Sequence, residues 1–322
     1  MSLESRARRA RRTSPVARRP PSDMALLDRI VLSTLPWIPT PVMRRLASRY
    51  IAGEELDDAL AKLRRLSERG FPGILDVLGE GITSEAEARK VAETYRHAAG
   101  EIARAGLDCY VSVKPTHVGL GLSEGLAHEL YASIAGRCRE LGLFLRVEME
   151  DHPTTDGTLR VFERLRGRFS NVGVVLQARL FRTLADIERL APGPLEVRMV
   201  KGIYLEPKEI AHTEAEPIRG AYVECVRRLC ARGARVSLAT HDDGMAERCF
   251  RVIREAGYAR ERYELQVLLG VREELWERWK QAGHVVRVYV PYGPEWRAYS
   301  QRRLRKNPQL LRHVIRDALR IT

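Results

Sequence analysis

From residue 71 onward, short apolar runs recur along the chain. They fall at Ile74–Leu78, Cys109–Val113, Leu143–Met149, Val172–Leu176, Leu195–Val200, Val236–Thr240, Leu265–Leu269 and Val285–Val290. Between them the apolar residues take helical spacing, as in Val91, Tyr95, Ala98 and Ile102, or Leu126, Leu130, Ile134, Cys138 and Leu141. Ser84 and Glu87 stand as a capping-box pair ahead of the first of these segments. Strands alternating with helices imply parallel pairing through right-handed crossovers, and eight such units are the number at which a barrel closes. An open doubly wound sheet is the rival, but no G-x-G-x-x-G follows the first strand. The pattern therefore predicts an α/β chain with a (β/α)8 barrel over residues 71–322. Upstream, Leu56, Leu60, Leu63 and Leu66 mark one face of a helix that Gly70 ends, so residues 24–70 are an N-terminal helical segment. Residues 1–23 are Arg/Ser/Pro-rich and aperiodic, which reads as a disordered arm.

Side chains alternate faces along a strand, so each run divides in two. Phe144, Arg146 and Glu148 oppose Leu143, Leu145, Val147 and Met149; Glu196, Arg198 and Val200 oppose Leu195, Val197 and Met199. Lys114 shares a face with Tyr110 and Ser112, Gln177 with Val175, Gln266 with Glu264 and Leu268, and Tyr289 with Arg287. Barrel strands are normally apolar on both faces, one against the helices and one in the packed interior. Polar residues repeated near the C-terminal ends of one face therefore point to a site at the barrel mouth, built from Lys114, Glu148, Gln177, Arg198, Gln266 and Tyr289.

Composition sharpens the class. The chain has 322 residues, 44 % hydrophobic and 30 % charged, which suits a globule with a large core. Of the net charge of +13, +6 lies in the first twenty residues, where seven arginines face one acid; +7 is spread over the rest. That weakens a nucleic-acid role for the body. The arm itself reads first as a solvated tail, then as a contact for anionic lipid or nucleic acid, or as a transit peptide. Five cysteines without a C-x-x-C read as reduced thiols in a cytoplasmic protein, and no apolar run is long enough to span a membrane.

The mouth set contains no metal cluster. Lys114 or Lys201 at a strand end would suit a Schiff-base lyase or aldolase, since burial lowers a lysine's pKa; an ion-paired lysine is the plainer reading. His241, after the sixth strand, is a cofactor contact or a loop cap. A helix over 294–307 follows the eighth strand and carries Trp296, Tyr299, Arg302 and Arg303; adjacent arginines beside a barrel mouth suit a carboxylate, or simply form a basic helix face.

Several segments resemble one family. V-R-M-V-K-G-I-Y-L-E-P (Val197–Pro207), A-T-H-D (Ala239–Asp242) and R-V-Y-V-P-Y-G-P-E-W-R-A-Y-S-Q-R-R-L (Arg287–Leu304) are similar to signature segments of bacterial proline dehydrogenase. V-S-V-K-P-T (Val111–Thr116), E-M-E-D (Glu148–Asp151) and Q-A-R (Gln177–Arg179) follow in the same order, and the likeness covers roughly residues 50–320. The resemblance implies a distorted (β/α)8 TIM barrel that holds FAD noncovalently. It also implies oxidation of L-proline to Δ1-pyrroline-5-carboxylate with electrons passed to quinone, either in the cytoplasm or peripherally on the inner face of the membrane. A separate pyrroline-5-carboxylate dehydrogenase would take the product, and no nucleic acid is implied.

By the same resemblance, Arg302, Arg303 and Lys114 hold the substrate carboxylate, Tyr289 packs on the pyrrolidine ring, and Tyr204 and Leu268 line the pocket. Glu148 and Arg198 sit at the reacting edge of the flavin. Met149, Gln177, Val200, Lys201, Gly202, Ile203, Leu205, Thr240 and His241 contact FAD. Three positions depart from the family pattern: Glu148 stands for its usual Asp, Ile203 for its usual Ala, and Lys306 for a usual acid near the cofactor. The longer carboxylate motivates an alternative substrate, hydroxyproline or another cyclic imino acid.

Overall fold

The computed structural model describes residues 40–306, with the side chains of residues 42, 45, 46 and 302–306 outside that description. The 1–23 arm, and residues 24–39 of the N-terminal helical segment, therefore lie outside the described residues. Residues 41–300 form one compact unit, and 1–40 with 301–322 a second, of which only residue 40 and the turns at 301–306 are described.

All eight apolar runs are strands: β1 (Gly73–Val77), β2 (Cys109–Val113), β3 (Leu145–Val147), β4 (Val172–Gln177), β5 (Glu196–Val200), β6 (Arg235–Ala239), β7 (Tyr263–Leu268) and β8 (Val286–Tyr292). Each pairs in parallel with the next, and β8 returns to β1 to close the barrel. The outward residues, such as Val111, Val147, Val197 and Val288, are wholly buried under the surrounding helices. Most strand ends lie within a residue or two of the apolar runs. β3 is trimmed by two residues at both ends: Asn171 Nδ2 donates to the Leu143 carbonyl (2.9 Å), and residues 148–150 turn off toward the mouth.

The helices follow their apolar spacing. The segment opened by Ser84 is α-helix Glu85–Arg104, longer than its Val91–Ile102 stripe. Its capping box is only half formed: Ser84 Oγ accepts from the Glu87 amide (3.3 Å), but the Glu87 carboxylate accepts from the Thr83 amide (3.3 Å). The five cysteines are free and buried.

The interior departs from an ordinary apolar fill. Inward residues near the strand starts are Arg146, Ser237, Glu264 and Arg287, so polarity runs the full depth of the barrel rather than appearing only at the mouth. Arg287 Nε donates to both Glu264 oxygens at 3.1 Å; Gln266 Nε2 donates to Glu264 at 2.5 Å; Arg198 Nε donates to Gln266 Oε1 at 2.5 Å. This chain leads upward to the mouth. Arg146 fits inside because β4 presents Gly173 on the same level, where a Cβ would stand 2.5 Å from Arg146 Nη1 and 2.7 Å from the Phe144 ring.

Outside, on the N-terminal face, basic side chains tie the loops together by donating to otherwise unpaired carbonyls. Arg166 bonds the carbonyls of Ala191 and Pro192, Arg232 that of Leu190, and Arg260 that of Ala282.

Gly173→Ala is expected to destabilise the fold by roughly 1–3 kcal/mol through overpacking, read as a lower urea midpoint with an unchanged far-ultraviolet spectrum. An unchanged midpoint would mean that the Arg146 layer is loosely packed.

Candidate active site

The strand C-terminal ends and the loops after them enclose a cavity of about 680 Å³. Arg198, inward on β5, is at its centre and buried. Its Nη1 donates to Glu148 Oε1 and to Ser112 Oγ (3.2 Å), its Nη2 to the Tyr110 hydroxyl (3.3 Å), and its guanidinium lies over the Tyr289 ring, 5.3 Å from the centroid. Burial alone would push the Glu148 carboxyl up, but Arg198, Ser112 and Lys114 outweigh it and hold the group below the ordinary glutamate range. Glu148 is therefore a fixed anion.

Lys114, just past the end of β2, reaches Asp76 on β1, with Nζ 3.1 and 3.3 Å from the two carboxylate oxygens. Burial would lower the lysine's pKa, yet the charge and hydrogen bond of Asp76 raise it above the ordinary value. The ammonium persists. Asp76 also accepts from the Tyr289 hydroxyl, so one carboxylate orients both the cation and the aromatic wall.

The opposite wall, beyond β4–β6, suits a large polar ligand. Gln177 Nε2 donates to the Glu150 carbonyl (2.6 Å), which leaves its buried Oε1 without a partner among the described residues. Gly202 takes φ +95°, and a Cβ there would stand 2.9 Å from Gln177 Oε1 and 2.8 Å from Arg179 Cγ, so only glycine lets this loop pass. His241 Nε2 accepts from the Leu268 amide (2.9 Å), which leaves any ring proton of a neutral imidazole on Nδ1. Asp242 binds Lys201 and Arg219, each at 2.7 Å, and caps the helix Asp243–Glu255 through the Met245 amide. Burial opposes ionisation of Asp242, but these bonds pull it down to about 2.

Lys114, Glu148, Met149, Gln177, Arg198, Val200, Lys201, Gly202, Ile203, Tyr204, Thr240, His241, Leu268 and Tyr289 all line this one cavity. Leu205 stands apart, with its side chain 97 % exposed and outside the cavity wall. Arg302 and Arg303 fall on the helix Trp296–Lys306, and their side chains lie outside the described residues, as does that of Lys306. Sequence reasoning missed Asp76, Glu150, Arg219, Asp242 and Arg272 as cavity residues. Asp76 did leave a signal: it is the sole charge in the run Ile74–Leu78. Arg272, held at φ +50° with its guanidinium on the His241 carbonyl (3.0 Å), left none. Among the described residues no cluster could hold a metal ion.

The proline dehydrogenase family model matches residues 59–314. The proline dehydrogenase of Deinococcus radiodurans is 34 % identical over 285 residues, covering 86 % of this chain and 91 % of that protein. Proline dehydrogenase 1 of Bacillus subtilis is 30 % identical over 274 residues, with coverage of 85 % and 91 %. In fold, the chain is similar to a crystal structure of proline utilization A from Bdellovibrio bacteriovorus. The TM-score is 0.79 at 21 % identity, and the match covers 88 % of this chain and 37 % of that longer one.

Arg198→Met leaves the Glu148 carboxylate buried beside Lys114 alone, and the expected loss of stability is about 3–5 kcal/mol at pH 8. Without Arg198, burial raises the folded-state pKa of Glu148 above its unfolded value, so the folded state binds the extra proton and the loss shrinks as pH falls toward 5. Urea titrations at the two pH values check this; a loss that does not change with pH would mean that Glu148 does not carry the charge.

Proposed function

The chain belongs to the proline dehydrogenase family, and we propose that it oxidises L-proline to Δ1-pyrroline-5-carboxylate, with FAD held noncovalently in the mouth cavity and electrons passed to quinone. One observation carries the reading: a persistent lysine cation, an arginine locked to a carboxylate, and a tyrosine ring converge on one cavity of about 680 Å³.

The residues present suit FAD. The free acceptor Gln177 Oε1, the Val200–Ile203 backbone made close by Gly202, and the Thr240–His241 turn offer a wall of polar contacts, beside the apolar Met149 and Val200. When bound, FAD supplies the two-electron acceptor for the hydride that leaves the carbon next to the substrate's ring nitrogen. The chain's own tasks are orientation and charge. Lys114, kept protonated by Asp76, attracts the substrate carboxylate and fixes which end of the molecule enters. The resemblance assigns Arg302 and Arg303 to the same carboxylate. Tyr289, pinned between Asp76 and the Arg198 guanidinium, gives the pyrrolidine ring a rigid face to pack on. Tyr204 and Leu268 close the pocket. The fixed charge of Arg198 stabilises negative charge that develops beside it, with no reorganisation at the moment of reaction. A carboxyl held below its usual range is a poor proton acceptor, so Glu148 serves to hold Arg198, and the substrate amine enters already neutral.

The Schiff-base reading fits less well. It needs a neutral amine, whereas Lys114 is held charged by Asp76 and Lys201 is ion-paired to Asp242 at 2.7 Å. Ser112 and Arg198 both bond Oε1 of Glu148, so a hydroxylated ring would have to be met by Oε2 alone. Among the described residues no helix is long and apolar enough to cross a membrane. Exposed Ile203 and Leu205 suit peripheral contact with a lipid-borne quinone at the inner face of the membrane from the cytoplasm, with the product passing to pyrroline-5-carboxylate dehydrogenase.

Purified protein is expected to be yellow, with flavin absorbance bleached by L-proline under anaerobic conditions and steady-state rates higher for L-proline than for hydroxyproline. Colourless protein that gains nothing from added FAD overturns the proposal.

A further inference from the structure

The barrel has a second cavity, of about 260 Å³, at the strand N-termini, the end opposite the mouth. Its wall includes Asp108, Tyr110, Phe144, Arg146, Arg235 and Arg287. Only Tyr110 among these touches the mouth site, through Arg198 Nη2.

The charges here are unevenly paired. Arg287 is matched by Glu264 (3.1 Å) and by Asp108 (2.9 Å). Arg235, at the solvent side, reaches Glu196 at 3.4 Å and Glu264 at 3.5 Å. Arg146 is different. It is almost wholly buried, and its bonds go to neutral acceptors: the carbonyls of Val174 (3.3 Å) and Glu196 (3.0 Å) and the Ser237 hydroxyl (3.4 Å). Its Nε has no partner. Asp108, Glu196 and Glu264 balance the three arginines in number, but all their ion pairs go to Arg235 and Arg287, so buried Arg146 is the one cation of this layer without a carboxylate partner. An arginine cannot shed its proton to escape that cost. The rings of Phe144 and Tyr110, 4.8 and 5.8 Å from the guanidinium, offset only part of it. Gly173 keeps the space open for the guanidinium.

We infer that this floor cavity is a binding site for a small monocarboxylate. The one cation without a carboxylate partner sets the ligand's charge, and Arg146, with no bond on Nε and only a long one on Nη2, has two donors to offer a carboxylate. The volume is that of about eight waters, which admits a molecule the size of propionate. Phe144, Tyr110, Leu107 and Leu143 provide an apolar wall for its short tail.

Propionate, its neutral isostere propionamide, and sodium chloride at matched ionic strength would be titrated into the holoenzyme while the unfolding temperature is followed. Propionate is expected to raise the midpoint saturably, and the other two to leave it unchanged. The effect is expected to persist in Lys114→Met, which removes one of the cations given to the substrate carboxylate at the mouth, and under anaerobic conditions in excess L-proline, which competes for the others. Arg146→Met is expected to weaken binding more than tenfold, the loss of charge-assisted hydrogen bonds. Asp108→Asn, at the exposed rim, is expected to tighten it roughly two- to five-fold by removing a competing anion, which provides a test even if Arg146→Met does not fold. Equal shifts with propionamide, loss of the effect in Lys114→Met, no saturable effect of propionate, or an affinity unmoved by Asp108→Asn would each overturn the site.

Discussion

Arg198 is a permanent cation buried at the axis of a closed sheet, and that constraint organises the rest of the molecule. A guanidinium in such a place needs a carboxylate and filled donors. Glu148, Ser112, Tyr110 and Gln266 meet those needs from three other strands. Each of them must then hold its own geometry. Gln266 is fixed by Glu264 and Tyr110, Glu264 by Arg287, and Arg287 by Asp108 at the outer rim. A network in which every member is pinned by the next leaves the mouth little freedom to relax, which is the property a site that acts by orientation requires.

The outline of this arrangement was legible in the sequence because strand periodicity exposes the conflict. A parallel barrel strand has no solvent face, so Arg146, Glu148, Arg198 and Gln266 had nowhere to go but inward. What periodicity could not convey is depth. Counting along one strand says that Arg287 and Tyr289 share a face; only the stagger between neighbours shows that Arg287 belongs to the floor with Glu264 while Tyr289 pairs with Leu268 at the mouth. Asp76 was overlooked for a related reason. Alone in an apolar run it looked incidental, and its meaning comes from Lys114, 38 residues away in sequence and 3.1 Å away in space. Loop residues were the least legible. Leu205 looks like its neighbours in the motif, yet the backbone after Gly202 carries it into solvent while Tyr204 stays in the wall.

The two ends of the barrel use arginine differently. On the outer floor, Arg166, Arg232 and Arg260 close carbonyl ends that helices and turns leave open, so part of the chain's excess positive charge is structural and says nothing of an anionic partner. Inside, the guanidinium ions are held in layers, and the layers differ in how well they are neutralised. Around Arg198 the pairing is complete; around Arg146 it is not. The same residue type thus serves as a stitch, as a fixed electrostatic element and as a buried cation without a carboxylate partner, and only its partners tell the three apart.

That pairing also decides what the mouth can do with protons. Lys114 is pushed up by Asp76 and Glu148 is pulled down by Arg198, so the two groups nearest the proposed substrate move away from neutrality in opposite directions. Neither changes charge across the physiological range. On the function proposed above, neither Lys114 nor Glu148 would prepare the amine for oxidation; its neutral form would be selected from solution and held in place. The cost would fall on binding, since only a fraction of a secondary ammonium ion is deprotonated near pH 7, and the return would be an electrostatic field that does not vary during the reaction. For a reaction whose difficult bond-making belongs to a cofactor, a constant field and a fixed pose are the contributions open to the protein.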